Sequence, residues 1–206
     1  MDVVLATHMA LSPFDPFKYS GGWYETLSIK KGFAGLGQRD CMDTRGLYEY
    51  DPDRDEIDVM TQCRHLDGHV SGIRGIVTCP RSKNSRGIIS CSLRFPTATY
   101  VPPSAYTILE TDYDSYAIVE SGLGPKSAAP FVQVYSRYAR PGLRFVEAKK
   151  ELLSKWGYDP DEAHITPVTM GSEPKVSSAL EGYTSTEAPA NSEDYTQTQN
   201  QNLSHE

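Results

Sequence analysis

Between residues 23 and 137 the sequence alternates apolar and polar side chains in short segments separated by turn-forming residues. In residues 23–30, for example, Trp23, Leu27 and Ile29 share one face with Glu25. Because successive side chains of a strand point to opposite sides, this alternation is typical of antiparallel strands that bury one face. We predict eight such strands, at residues 23–30, 45–50, 57–64, 69–79, 89–95, 105–110, 116–121 and 131–137.

One later segment has a different period. In residues 143–156 the apolar side chains recur at helical spacing, and Gly157 follows where a helix C-terminal cap is expected. We therefore predict one amphipathic helix, which needs an apolar surface to lie on. A short ninth strand is predicted at residues 163–168.

This order of elements fits an all-β fold, an eight-stranded antiparallel up-and-down β-barrel with one C-terminal helix packed outside. Eight strands enclose an interior wide enough for side chains or for one small ligand. An open sandwich of two packed sheets is the competing architecture. The alternation alone does not distinguish the two.

The two ends of the chain differ from this central region in composition. From Gly171 to Glu206 the sequence is rich in Ser, Thr, Gln and Asn and carries six acidic residues and one lysine. Such a segment buries too little apolar area to offset its conformational entropy, so residues 171–206 are predicted to form a disordered acidic tail. We predict a flexible arm at residues 1–12 and one barrel domain at residues 13–170.

Charge and hydropathy argue against several functions. The chain has 20 basic and 27 acidic residues, and its net charge of -7 argues against broad nucleic-acid binding, which needs a basic surface. No segment reaches the ~18 consecutive apolar residues of a transmembrane helix. Because the N-terminus shows neither a basic leader nor a long apolar region, a cytoplasmic location is the default expectation, with secretion as the alternative.

The cysteines and histidines show no metal-binding pattern. Because the number of cysteines is even, disulfides are permitted in an exported protein, but without a leader reduced thiols are the default expectation. Among the five histidines, His65 and His69 flank a turn and fit a surface pair better than a metal site. We predict no metal and no cofactor. The four cysteines are Cys41, Cys63, Cys79 and Cys91.

Three motifs occur in order along the predicted strands. Residues 21–25, GGWYE, begin the first strand; Thr111, Asp112 and Tyr113 lie between the sixth and seventh; and Arg137 ends the eighth, just before the helix. The first motif resembles the G-x-W signature of the lipocalin family, in the form of the apolipoprotein D and bacterial lipocalin type. The other two resemble the family's TDY turn and its arginine. From these motifs the chain is identified as a member of the lipocalin family.

The resemblance implies structural roles for the motif residues at the closed end of a barrel. Trp23 would plug this end, and Arg137 would stack on its indole ring. Gly21 would allow a tight entry of the chain, and Asp112 would accept backbone hydrogen bonds within the TDY turn. None of these roles is catalytic.

The resemblance also implies the function. The expected protein is not an enzyme; it binds and carries or sequesters a small hydrophobic ligand, such as a fatty acid, a lysophospholipid, a sterol or a retinoid-like molecule, inside the barrel. The alternative is that the inward side chains fill a small solid core. Strand alternation and the family's strand parity together predict the ligand-binding residues Leu27, Ile29, Val59, Leu93, Phe95, Ala117, Val119, Gln133 and Tyr135.

Other interpretations remain open at this level. Alternation places Glu25 inside the barrel, where its carboxylate either anchors a ligand or makes a structural hydrogen bond. A protein-interaction module would use the loops and the acidic tail to contact a protein partner. A thiol-dependent lipid isomerase would need a pocket nucleophile, for which Cys41 is the nearest candidate, with Arg39 as its only activating neighbour.

Overall fold

The structure, a computed structural model, describes residues 13–31, 38, 40–82, 84, 86–97, 102–121, 124, 126 and 129–168. The predicted arm at residues 1–12 and tail at residues 171–206 lie outside the described residues. The described elements, in chain order, are α1 (Pro16–Tyr19), β1 (Gly21–Lys30), β2 (Met42–Asp51), β3 (Glu56–Arg64), β4 (Val70–Thr78), β5 (Ile89–Arg94), β6 (Ser104–Thr111), β7 (Tyr116–Glu120), β8 (Phe131–Ser136), α2 (Leu143–Lys155), a 3-10 turn (Pro160–Glu162) and β9 (His164–Ile165).

Strands β1 to β8 form a closed ring. Each strand from β2 to β7 pairs antiparallel with the next along the chain. Strand β1 pairs with β8 on one side and with β2 on the other, and this double pairing closes the sheet. The predicted eight-stranded antiparallel barrel is therefore confirmed, and the two-sheet sandwich is not formed.

Strand β1 changes face in its middle. Glu25 pairs with Tyr135 of β8, but the next pair joins Leu27 to Val134, so Thr26 is an inserted bulge residue. Because the side-chain period of a strand is two, one inserted residue moves every later side chain to the opposite face. The alternation read from the sequence therefore holds for β1 only as far as Glu25.

Beyond the bulge, β1 takes a different neighbour. Residues 21–24 pair with β2, whereas Leu27 and Ser28 pair with β9. The Asp43 amide donates to the Pro167 carbonyl at 2.8 Å, so the segment after α2 also bonds to the beginning of β2. The C-terminal part of the domain thus fills the gap between β1 and β2 at the end of the barrel away from Trp23.

The barrel wall separates two apolar clusters. Between the outer wall and α2 lies the outer cluster, which comprises Leu27, Ile29, Leu109, Ile118, Val132, Val134, Val146, Leu153, Tyr158 and Ala163. The inner cluster comprises Phe14, Tyr19, Trp23, Tyr48, Ile57, Val59, Val77, Ile89, Cys91, Tyr106, Ile108, Ala117, Val119 and Tyr135.

Helix α2 lies on the outer wall, as its amphipathic pattern predicts. Val146 and Leu153 are its buried residues, and the Trp156 indole N–H donates to Glu110 Oε2 at 3.0 Å. Gly157, at φ +87°, ends the helix in the left-handed conformation that glycine adopts at little cost. Within the described part of the chain, neither helix is long and apolar enough to cross a membrane.

Both pairs of cysteines form disulfides, which corrects the expectation of reduced thiols. Cys41, just before β2, is bonded to Cys63 of β3. Cys79, just after β4, is bonded to Cys91 of β5. The antiparallel sheet brings together cysteines that are 22 positions apart in the first disulfide and 12 positions apart in the second. Disulfides of this kind persist in oxidising compartments.

The packing of α2 predicts that substitutions at two leucines of this helix have different effects on stability. Leu153 is 0% exposed and Leu143 is 75% exposed. We expect Leu153→Ala to lower the free energy of unfolding by about 2–5 kcal/mol, because it removes buried methyl groups and leaves a cavity. The matched variant Leu143→Ala should change it by less than about 0.5 kcal/mol. Urea denaturation followed by circular dichroism measures both, and equal effects would contradict the packing described.

Candidate ligand site in the barrel interior

The closed end of the barrel is built around one stacked pair. The Arg137 guanidinium carbon lies 3.6 Å from the centroid of the buried Trp23 ring. Its nitrogens donate to the carbonyls of Lys18 at 2.7 Å, Tyr113 at 3.0 Å and Gly22 at 3.1 Å. Cation–π stacking and charge-assisted hydrogen bonds act together here, so a single side chain joins the entry segment, β1 and the turn before β7.

Gly21 and the TDY turn complete this end. Gly21 has φ +100°, and a Cβ at this position would lie 3.1 Å from Arg137 Nη1, so glycine meets both a backbone and a steric requirement. In the turn, Asp112 Oδ1 accepts from the amides of Ser115 and Tyr116 at 2.8 and 2.9 Å. Thr111 Oγ1 donates to the Tyr116 carbonyl at 2.8 Å. These contacts are structural and pack this end with described side chains and backbone.

Four tyrosines cross the interior above the closed end; this tyrosine cluster comprises Tyr19, Tyr48, Tyr106 and Tyr135. The hydroxyl of Tyr106 lies 3.1 Å from that of Tyr19 and donates to that of Tyr48 at 3.0 Å. Burial raises the pKa of all four phenols, and most strongly that of Tyr19, Tyr106 and Tyr135. The part of the interior next to Trp23 is therefore filled with protein side chains.

Inside the wall near the other end lies a polar cluster. The carboxylate of Glu25 is 0% exposed and forms an ion pair with Lys30 Nζ at 2.7 Å. The hydroxyls of Ser28 and Thr166 donate to its Oε1 at 3.0 and 2.5 Å, and Gln133 Nε2 donates to its Oε2 at 2.6 Å. Glu25 therefore makes the structural hydrogen bonds that one of its two interpretations requires. These bonds join β1, β8 and the segment after β9.

The bulge in β1 explains why this cluster is polar. After Thr26 the strand turns Ser28 and Lys30 to the same side as Gln133, which Ser28 faces across the β1–β8 pairing. A straight alternation would have placed Leu27 and Ile29 there instead. A buried lysine and glutamate are tolerated because each compensates the charge of the other and further donors complete the carboxylate shell.

At the end of the barrel away from Trp23, described side chains at inward positions are partly exposed. We call the inward positions of β3, β4 and β5 near this end the mouth of the barrel. They comprise Thr61, Ile73, Leu93 and Phe95, none of which is fully buried. Ile73 points inward, opposite Thr61, and is nevertheless 42% exposed. Gly75 leaves room for the Leu93 side chain, because a Cβ at position 75 would lie 2.7 Å from Leu93 Cδ1.

A cleft of about 490 Å³ opens beside the polar cluster at this end. Its volume lies in the range of about 300–1,000 Å³ that is usual for small-molecule sites. Its lining is formed by Glu25, Ser28, Lys30, Lys31, Gln38, Cys41, His164, Ile165, Thr166 and Pro167.

The structure separates the predicted ligand-binding residues into three groups. Val59, Ala117, Val119 and Tyr135 belong to the inner cluster, and Gln133 belongs to the polar cluster. Leu93 and Phe95 lie at the mouth. The prediction is wrong for Leu27 and Ile29, which pack in the outer cluster with α2, because the Thr26 bulge reverses their face.

Sequence reasoning missed several interior residues. Tyr48 and Tyr106 were not assigned to the interior, although both lie at inward positions of their strands. Ile73 was missed because residues 69–79 do not alternate regularly. Alternation counted from Trp23 would place Lys30 on the outward face, but the bulge at Thr26 turns it inward.

The cysteines do not supply a thiol or a metal centre in this structure. Cys41, Cys63 and His65 come within metal-ligand reach of one another, but the two sulfurs are bonded to each other. A disulfide sulfur lacks the thiolate that a metal or a thiol mechanism requires. The thiol-dependent isomerase interpretation therefore has no nucleophile here, since all four cysteines of the chain are paired.

Comparison with known proteins gives the family. The model of the lipocalin-like domain matches residues 14–167. The chain is 41% identical over 180 residues to chloroplastic lipocalin of Arabidopsis thaliana, covering 81% of this chain and 50% of that protein. It is 31% identical over 109 residues to mouse apolipoprotein D, covering 52% and 51%. The chain spans about half the length of the curated relatives it matches.

Solved structures agree on the fold. Lobster apocrustacyanin A1 superimposes with a TM-score of 0.56 at 20% identity, covering 76% of this chain and 79% of that one. Insecticyanin of the tobacco hornworm Manduca sexta gives 0.56 at 15% identity, covering 78% and 84%. The chain belongs to the lipocalin family.

The buried phenols make the stability depend on pH. In the unfolded chain a phenol loses its proton near pH 10, whereas burial keeps the Tyr106 phenol protonated well above that pH. Its contribution to stability is therefore complete below about pH 10 and falls by about 1.4 kcal/mol per pH unit above it. We expect Tyr106→Phe to make the fall in the free energy of unfolding above about pH 10 shallower by this amount.

Urea denaturation at a series of pH values above neutrality measures this slope. Tyr138→Phe is the matched control, because Tyr138 is 64% exposed, and it should keep the slope of the parent. The absolute stability of Tyr106→Phe is not the readout, since the variant also loses two hydrogen bonds. A parental slope in Tyr106→Phe would show that this phenol does not contribute as described.

Proposed function

We propose that the chain binds and carries or sequesters a small, mostly apolar molecule with a polar head, in the class of fatty acids, lysophospholipids, sterols and retinoid-like compounds. The observation that carries the proposal is Ile73, an inward-facing aliphatic side chain that is 42% exposed. In a barrel with a solid core this position would be covered by other side chains. Its exposure supports an interior that binds a ligand at the mouth.

The apolar part of the ligand would lie along the mouth. Ile73, Leu93 and Phe95 offer adjacent apolar surfaces on β4 and at the end of β5, and the tyrosine cluster limits how deep a ligand can go. Each ligand methylene that leaves water there contributes about 0.8 kcal/mol. A chain of the length found in fatty acids can therefore reach micromolar affinity after the cost of association is subtracted.

The polar head would lie at the polar cluster. Lys30 Nζ uses one donor for Glu25, and an ammonium group has three, so it can hold Glu25 and a ligand carboxylate or hydroxyl together. His164 and Gln38 line the same cleft and add further polar groups. A few convergent polar groups beside an apolar surface are typical of sites that orient a ligand.

Two residues of β4 allow a matched test. Ile73 and Val70 are 42% and 41% exposed, but Ile73 faces the interior, whereas Val70 is paired with Arg64 on the outward face. We expect Ile73→Asp to weaken binding of cis-parinaric acid, a fluorescent fatty acid, at least about tenfold, because burying one aliphatic side chain contributes about 1.5–3 kcal/mol. Val70→Asp should leave the dissociation constant unchanged. Fluorescence titration of the purified full chain measures both.

The result would contradict the proposal in two cases. If the parent protein does not bind the probe at saturating concentration, the interior does not accept a fatty acid, and the protein-interaction interpretation gains support. If both aspartate variants weaken binding equally, the probe binds on the outer surface and not within the mouth. Circular dichroism of each variant verifies that the barrel is folded.

A further inference from the structure

Three polar side chains from three different segments meet at the open end of the barrel. Asp40 precedes β2, His65 follows β3, and Ser71 is the second residue of β4. His65 Nδ1 lies 3.1 Å from both carboxylate oxygens of Asp40, and His65 Nε2 lies 2.8 Å from Ser71 Oγ. The order carboxylate, Nδ1, Nε2, serine hydroxyl is that of a nucleophilic triad, which is recognised by geometry and not by sequence position.

The hydrogen-bond partners determine the tautomer of His65. A carboxylate can only accept, so Nδ1 carries the hydrogen and donates it to Asp40. In a neutral imidazole Nε2 is then an acceptor, and the Ser71 hydroxyl donates to it. The histidine is thereby set to take the serine proton, which is the role of a general base.

The surroundings hold this arrangement in place. The disulfide between Cys41 and Cys63 fixes the residue after Asp40 to the strand that ends just before His65. The His65 side chain is 18% exposed, and its ring stacks on that of His69 with the centroids 5.4 Å apart. These contacts restrict the movement of the His65 ring, as a general base that is oriented by a hydrogen-bond partner requires.

Ser71 lies where a bound acyl chain would pass. It pairs with Cys63 and shares the inward face of β4 with Ile73 of the mouth, two residues along the strand. Gln38 and Cys41, on either side of Asp40 in the sequence, line the open cleft. Ser71 therefore shares its strand face with the part of the mouth along which the proposed function places the apolar part of the ligand.

We propose that Ser71, His65 and Asp40 hydrolyse carboxylic esters whose acyl chain occupies the mouth. Ser71 Oγ attacks the ester carbonyl carbon while its proton moves to His65 Nε2. The tetrahedral intermediate collapses, the alkoxide leaves with that proton as an alcohol, and an acyl-serine remains. Water, deprotonated by His65, attacks this ester in turn and releases the carboxylic acid, and the proton returns to Ser71. The net reaction converts one ester and one water into one acid and one alcohol. Asp40 stays ionised and orients the imidazole.

The test uses p-nitrophenyl octanoate and a fluorophosphonate, a reagent that phosphonylates an activated serine with loss of fluoride. We expect the purified full chain to release p-nitrophenol and to carry the phosphonyl group on Ser71. Ser71→Ala and His65→Gln should each lower the rate at least about 100-fold, since general-base catalysis contributes about 10²–10⁴-fold. Ser90→Ala, at an exposed position of β5, is the matched control and should keep the parental rate and labelling.

The outcomes separate this proposal from ligand binding. If the parent shows no hydrolysis above the buffer rate, or if Ser71→Ala hydrolyses the ester as fast as the parent, the triad is not catalytic. Binding of cis-parinaric acid to Ser71→Ala is measured in parallel, because this acid has no ester to cleave. Retained binding with lost hydrolysis is the expected result. If the parent chain binds cis-parinaric acid but does not hydrolyse the ester, the triad is overturned and the carrier function still stands.

Discussion

Strand β1 makes the barrel a closed structure, because it alone pairs with both the last strand of the barrel and the second. The bulge at Thr26 gives this strand two different halves. Up to Glu25 it carries Trp23 into the interior and bonds to β2, whereas after Thr26 it turns Leu27 and Ile29 to the outer wall. Without the inserted residue, Leu27 and Ile29 would face the interior and would be missing from the outer cluster on which α2 packs.

The two halves of β1 correspond to two ends of the interior with different properties. Near Trp23 the space is occupied by the Arg137 stack and the tyrosine cluster, whose hydroxyls satisfy one another. Near Lys30 the wall is polar, the neighbouring strands leave Ile73 exposed, and a cleft reaches the buried carboxylate of Glu25. The arrangement combines a rigid base with an accessible mouth, which suits a ligand of limited length with a polar head.

Much of the fold could be predicted from the sequence, because strand alternation and helical periodicity are local signals. The motif at residues 21–25, the TDY turn and Arg137 added the closed end and the family. What could not be predicted depends on contacts between distant residues. The face of Leu27 is set by its pairing with Val134, and the oxidation state of the cysteines by neighbours that only the sheet brings together. The meeting of His65 with Ser71 and Asp40 likewise depends on the β3–β4 register and on the segment before β2.

The central claim is that the open end of the interior holds one small amphipathic molecule. Native mass spectrometry of the full chain tests it most directly, before and after extraction with organic solvent and again after addition of oleate. The account predicts a complex with one oleate per chain that forms on the extracted protein and disappears on renewed extraction. A folded, extracted chain that keeps its unliganded mass in a saturating excess of oleate would contradict the account.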